Sequence, residues 1–206
     1  MKTMKISNLF LAFVASATLF SCSPSEKPKE TTALDSTASV SYTVVTDSST
    51  VNWKGTMVGL YSHYGTVKLA EGSLVLTGGK LTGGSFTVDL KSINPLDSGY
   101  SKEHKREDLI GHLGAPDFFA TDSFPSATFI VKSVEGTTAT GDLTVRGKTN
   151  EEKVTDLVVS TGDSTVSITG KLVFNRQKYG VAYKATMKDM VLSDDIEITV
   201  ALKGKK

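Results

Sequence analysis

From Val40 onward apolar and polar residues alternate with a period of two, and glycine-bearing turns cut the alternation into short runs. In "GGKLTGGSFTVDL", Phe86, Val88 and Leu90 fall on one side and Ser85, Thr87 and Asp89 on the other, as in a half-buried strand. The same pattern recurs at Val51 and Trp53, Val67 and Leu69, Phe129 and Val131, Leu143 and Val145, Leu172 and Phe174, and Ile196 through Ile198 and Val200 to Leu202. Turn signals separate the runs at Gly78-Gly79, Gly83-Gly84, Glu135-Gly136, Thr161-Gly162-Asp163 and Ser193-Asp194-Asp195. The runs amount to roughly eight strands, the number at which a closed antiparallel barrel is just wide enough for one elongated ligand.

One stretch breaks the rhythm. "SGYSKEHKREDLIGHLGAPDFF" is charged as a surface helix is, and places Leu109, Ile110 and Leu113 on one face. Gly114 and Pro116 end it, so the pattern predicts a single helix near Ser101 to Leu113, lying against a barrel mouth or flank. Phe118 and Phe119 would pin the crossing, and Pro125 would open the next strand where an N–H partner is missing.

Ahead of the barrel the pattern changes twice. Residues Met1 to Ser21 carry Lys2 and Lys5, then the apolar run "LFLAFVASATLF", then a small residue before the sole cysteine. This reads as a secretory signal, because the apolar run is shorter than the ~20 residues a membrane-spanning helix needs. "LFSC" resembles a bacterial lipobox, which would make Cys22 an acylated N-terminus and residues 1–21 a removed leader. Residues 22–39 are polar and rich in Ser, Thr and Pro, the composition of a disordered tether. The folded domain would then span residues 40–206.

Composition narrows the function by exclusion. The 206 residues carry 23 basic and 22 acidic side chains, for a net charge of +1. Nothing in that balance favours nucleic acid. The three histidines, His63, His104 and His112, lack zinc-ligand spacing, no nucleophile elbow is present, and the glycine pairs precede a strand and suit hairpins rather than phosphate cradles. Catalytic and metal residues are therefore expected to be absent. Arg146 in "VRGK" and Arg176 in "FNRQK" put cations at strand ends, where they would form solvated rims or meet an anionic headgroup.

The stretch "HLGAPDFFATDSFPSATF" with the later "GDLTVRGKT" resembles the YceI-like family of bacterial exported lipid-binding proteins. The resemblance rests on His112-Leu113, Asp117-Phe118-Phe119, Pro125, Ala127, Phe129, Gly141, Leu143, Thr144 and Gly147. It extends upstream through "VNWKGTMVGLYSHYG" and downstream through "LVFNRQKYGVAY" to "LSDDIEITVAL". It implies an all-β fold, an extended eight-stranded antiparallel lipocalin-like barrel with one short helix near the mouth. The interior would hold a polyisoprenoid, an isoprenoid quinone or a fatty-acid-like chain, with no other cofactor. Asp117, Phe118 and Phe119 would anchor the helix to the barrel.

The resemblance brings no catalytic set, so the ligand-lining candidates come from alternation: Trp53, Phe86, Val88, Phe129, Val131, Leu143, Val145, Leu172, Phe174, Ile196, Ile198 and Val200. Leu109, Leu113, His112, Phe118, Phe119 and Arg176 are the candidates for the mouth and helix cap. The expected partners are an apolar lipid and, through Cys22, a membrane of the cell envelope on its periplasmic or outer-membrane side; related barrels also allow a homodimer. The rival expectation is an envelope interaction module whose barrel is solidly packed.

Overall fold

The computed structural model describes residues 38–183 and 191–206. The expected leader, Cys22 and the tether as far as residue 37 lie outside the described residues. The elements are β1 (Ser39–Val44), β2 (Thr50–Met57), β3 (Tyr61–Thr77), β4 (Lys80–Pro95), α1 (Arg106–Gly114), β5 (Ser126–Glu135), β6 (Thr138–Val145), β7 (Lys148–Thr161), β8 (Thr165–Asn175) and β9 (Leu192–Lys205). Ser39, placed by sequence at the end of the tether, already pairs with Thr77.

Every pairing is antiparallel, and the order β3-β2-β9-β8-β7-β6-β5-β4 closes on itself through β3–β4. The nine strands make eight staves, because β1 and β2 lie end to end along β3. β2 pairs with Tyr61 to Val67 and β1 with Ser73 to Thr77, and the turn Thr46–Ser48 joins the two. Closure leaves the described strands without an open sheet edge that could pair with another chain. At the β3–β4 hairpin Gly78 and Gly79 both take positive φ, 57° and 77°, the backbone that a two-residue turn matched to strand twist requires.

Strict alternation holds along β6 and β8, where Ala139, Gly141, Leu143 and Val145, and Val166, Ile168, Gly170, Leu172 and Phe174, all face inward. Elsewhere bulges change which residues point in. On β3 the inward set shifts from Val67 and Leu69 to Leu74 and Leu76, across register breaks against β4. On β7 it shifts from Glu152 to Leu157 where Asp156 takes φ 54° and the register against β8 slips. Each extra residue inverts the parity of the positions after it.

The helix begins later than its charge pattern suggests. Ser101 Oγ accepts from the backbone N–H groups of Glu103 and His104, folding that segment into a turn, and the Lys105 N–H donates to Asp108 Oδ2 at 3.0 Å to start α1. His104 therefore lies outside the helix. α1 is fastened to β4 by the Arg106 guanidinium, which donates to the Pro95 carbonyl at 2.9 Å and to Asn94 Oδ1. Phe118 is buried and Phe119 half-buried, but Asp117 is exposed, so of these three residues only the two rings can anchor the helix.

Arg176 is not a solvated rim. Its side chain is 3% exposed and donates to the carbonyls of Val181 at 2.7 Å, Tyr183 at 2.9 Å and Ser193 at 3.0 Å, and to Asp194 Oδ1 at 3.0 Å. A planar fork with five N–H donors can satisfy four acceptors at once, which a lysine cannot. Ser193 to Asp195, read from sequence as a turn, belong to β9 because this fork and the β8 pairing hold them extended. Arg146, at φ 51° in the β6–β7 turn, donates to the Phe118 carbonyl and ties that turn to the segment after α1.

Candidate binding cavity

The barrel is hollow. A cavity of about 320 Å³ runs inside it, walled by β2 to β9 and α1, within the range of small-molecule sites. Trp53, Phe86, Val88, Phe129, Val131, Leu143, Val145, Leu172, Phe174, Ile196, Ile198 and Val200 all line it. So do Leu109, His112, Leu113, Phe118 and Phe119. Arg176 does not; it faces the loop carbonyls described above. The packed barrel of the rival expectation is thereby replaced by an apolar-walled space suited to an apolar ligand.

The wall is built by pairing across strands. Phe86 stands opposite Phe129, and Phe129 opposite Leu143, so two aromatic rings and a leucine form one layer. Gly141 leaves room for this layer: a Cβ there would come within 2.6 Å of the Phe129 ring and 2.4 Å of the Ile130 carbonyl. The glycine of "GDLTVRGKT" therefore sets the position of a wall ring.

One end of the cavity is filled. Below its lining residues Leu74 and Ile168 lie Tyr42, Val44, Leu76 and Val166, each no more than 5% exposed. The other end is bordered by Met57, Tyr61, His63, Leu192, Tyr183 and the helix residues, with Tyr61 46% exposed. His112 lies edge-on to Tyr183 at 4.4 Å and to Phe118 at 5.2 Å between ring centroids. Beside that lip the Arg176–Tyr179 turn closes the β7–β8 side, where the buried Tyr179 hydroxyl donates to Glu152 Oε1 at 3.0 Å.

Two histidines line this end, His112 within the aromatic cluster and His63 in a hydrogen-bonded one. The Nδ1 of His63 lies 2.8 Å from Asp97 Oδ2, while Asp97 Oδ1 accepts from the Tyr100 hydroxyl at 2.9 Å and from the Tyr64 N–H at 3.4 Å. Burial pushes the Asp97 carboxyl up, but the bonds from His63 and Tyr100 outweigh it and hold the group below its ordinary value. Burial and the adjacent carboxylate raise the Tyr100 hydroxyl to about 12. Among the described residues no three His, Cys, Asp or Glu side chains gather into a metal-holding group.

Sequence reasoning missed His63, Tyr61 and Tyr183. For the first two a signal was present, since Tyr61 and His63 share the parity of Val67 and Leu69 on one strand. Tyr183 sits in an irregular segment after the Arg176–Tyr179 turn, where no periodicity speaks.

The YceI-like domain profile matches residues 42–204. The chain belongs to the YceI-like family. Among curated relatives it is similar to UPF0312 protein SAR2769 of Staphylococcus aureus strain MRSA252, 38% identical over 102 residues, 45% of this chain and 59% of that protein. UPF0312 protein SAUSA300_2620 of strain USA300 is 38% identical over 101 residues, with the same coverage. The match thus spans less than two thirds of the length of these relatives.

Among solved structures, the YceI-like barrel is similar to BcnA of Burkholderia cenocepacia, with a TM-score of 0.59 and 18% identity, covering 78% of this chain and 98% of that one. It is also similar to a polyisoprenoid binding domain from Saccharophagus degradans implicated in plant cell wall breakdown. That TM-score is 0.52 at 13% identity, covering 80% of this chain and 97% of that one. At such identities the likeness is one of fold.

Proposed function

We propose that this YceI-like barrel binds an apolar lipid chain and carries or sequesters it in the bacterial cell envelope, as a non-enzymatic protein. The ligand class is a polyisoprenoid, an isoprenoid quinone or a fatty-acid-like chain. The observation that carries the reading is the apolar cavity of about 320 Å³, closed by packed side chains at one end and bordered by Tyr61, His63 and the helix residues at the other. At about 24 cal/mol per Å³, a dry void of that size forgoes on the order of 8 kcal/mol of packing, comparable with the whole stability of a domain. Water finds few partners on such a wall. An apolar guest restores the lost contacts.

The Saccharophagus domain, named for binding polyisoprenoid, supports the choice of a chain-like guest. Burying each CH₂ is worth about 0.8 kcal/mol relative to water, yet such lipids leave a bilayer and not water. The preference of the barrel over the bilayer is then small and set by shape and by the head. That suits a carrier that must also release. Export through residues 1–21, acylation at Cys22 and a polar tether would keep the barrel beside the membrane that supplies its cargo.

Native mass spectrometry of the gently purified full chain, with organic extraction, tests this. The expected result is a discrete lipid mass, lost from a folded Phe129→Glu variant because a charge enters the wall. Protein that is empty and takes up neither prenols, quinones nor fatty acids would overturn the reading.

A further inference from the structure

Asp97 dictates which nitrogen of His63 carries the proton. A carboxylate offers only acceptors, so Nδ1 is the donor in the 2.8 Å contact, and in the neutral form of the ring Nε2 keeps its lone pair. The ring is fixed by Tyr61, edge-on at 5.1 Å, and by Tyr100, stacked at 6.2 Å. It lines the cavity with its side chain 30% exposed, and no described residue donates to Nε2. The Trp53 indole, which also lines the cavity, already donates to the Thr66 carbonyl at 3.1 Å.

Charge at this end narrows the choice further. Among the described residues no lysine or arginine lines the cavity, and Arg176 is turned to loop carbonyls and Asp194. The Asp97 carboxylate behind His63 repels an anion. At His63 Nε2 itself a phosphate or carboxylate head is disfavoured, and a carbonyl head would set lone pair against lone pair.

We propose that Nε2 of His63 is the headgroup acceptor of the cavity, taking a hydrogen bond from the O–H of a neutral long-chain alcohol or phenol whose tail lies in the barrel. This rests on the apolar-chain reading above and adds the chemistry of the head. The site selects hydroxyl-bearing chains over their ether or keto counterparts, and Asp97 is the positioning residue that sets the selection. In Asp97→Asn the side-chain oxygen stays with Tyr100 and Tyr64, which hold that position by donating to it. The amide NH₂ then faces Nδ1, and the proton of the ring moves to Nε2. An acceptor becomes a donor.

The test compares geranylgeraniol with its methyl ether, offered to the full chain from one detergent by displacement of a fluorescent apolar probe. The alcohol should bind the wild type about tenfold more tightly, the worth of one hydrogen bond. His63→Leu should erase the difference by weakening the alcohol alone, and Asp97→Asn should erase it by strengthening the ether. Equal binding of alcohol and ether to the wild type overturns the head site and leaves chain carriage standing. A tenfold preference that survives in either variant also overturns it. Binding of neither compound overturns the head site, and chain carriage falls with it only if quinones and fatty acids are refused as well. Should His63→Leu fail to fold, the gain of the ether in Asp97→Asn decides alone.

Discussion

The two ends of the barrel put similar residues to opposite uses. At the filled end Leu74 is 0% exposed and forms the cavity floor, with Tyr42, Leu76 and Val166 packed beneath it. At the lip Leu60 is 57% exposed, beside Val58 at 54% and Tyr61 at 46%, with Val191 at 59% held near by the bond from the Val58 N–H to its carbonyl at 2.8 Å. The floor removes apolar surface from water, and the lip leaves it there. The floor is apolar packing throughout, while the groups that could recognise a ligand head stand at the other end beside exposed apolar side chains.

The lip end is nonetheless rigid where Arg176 gathers its acceptors. Arg176→Leu leaves three carbonyls and Asp194 without their donor, and should cost about 4 kcal/mol in urea unfolding, although the residue lies far from the floor. Leu74→Ala should cost about 3 kcal/mol by the same measurement, because the close-packed floor cannot collapse around the hole. Asp97 gives a smaller, pH-dependent contribution. Its carboxyl is held below the ordinary value of 3.8, so its contribution is present above that pH and is lost as pH falls through the lower folded value. Acid titration of the melting temperature should therefore show a steeper loss below about pH 4 in the wild type than in Asp97→Asn. Smallest of all, Leu60→Ala should change stability by less than about 0.5 kcal/mol, the contrast with Leu74 at its plainest.

Much of the wall was legible because the strands that carry it are regular. Phe129 and Val131, Leu143 and Val145, Leu172 and Phe174, and Ile196 to Val200 keep one parity, so alternation alone assigns them to the interior. Bulges hide the rest: Leu74, Leu81 and Leu157 line the cavity only because a register break precedes each or sits on its strand. A period-two reading has no means of placing the extra residue. The burial of Arg176 was illegible for a different reason. Its acceptors lie 5 to 18 residues away in an irregular segment and on β9, and only the folded chain brings them together. His63 lay between these cases, visible by parity but without meaning until Asp97 was placed beside it.

A crystal structure of the protein loaded with geranylgeraniol would show whether an apolar chain resides in the hollow between floor and lip. The expected density is one continuous chain along the Phe86–Phe129–Leu143 layer, its tail toward Leu74 and its hydroxyl at His63. A chain bound on the outer face, or side chains repacked to fill the interior with no chain in it, would contradict the account.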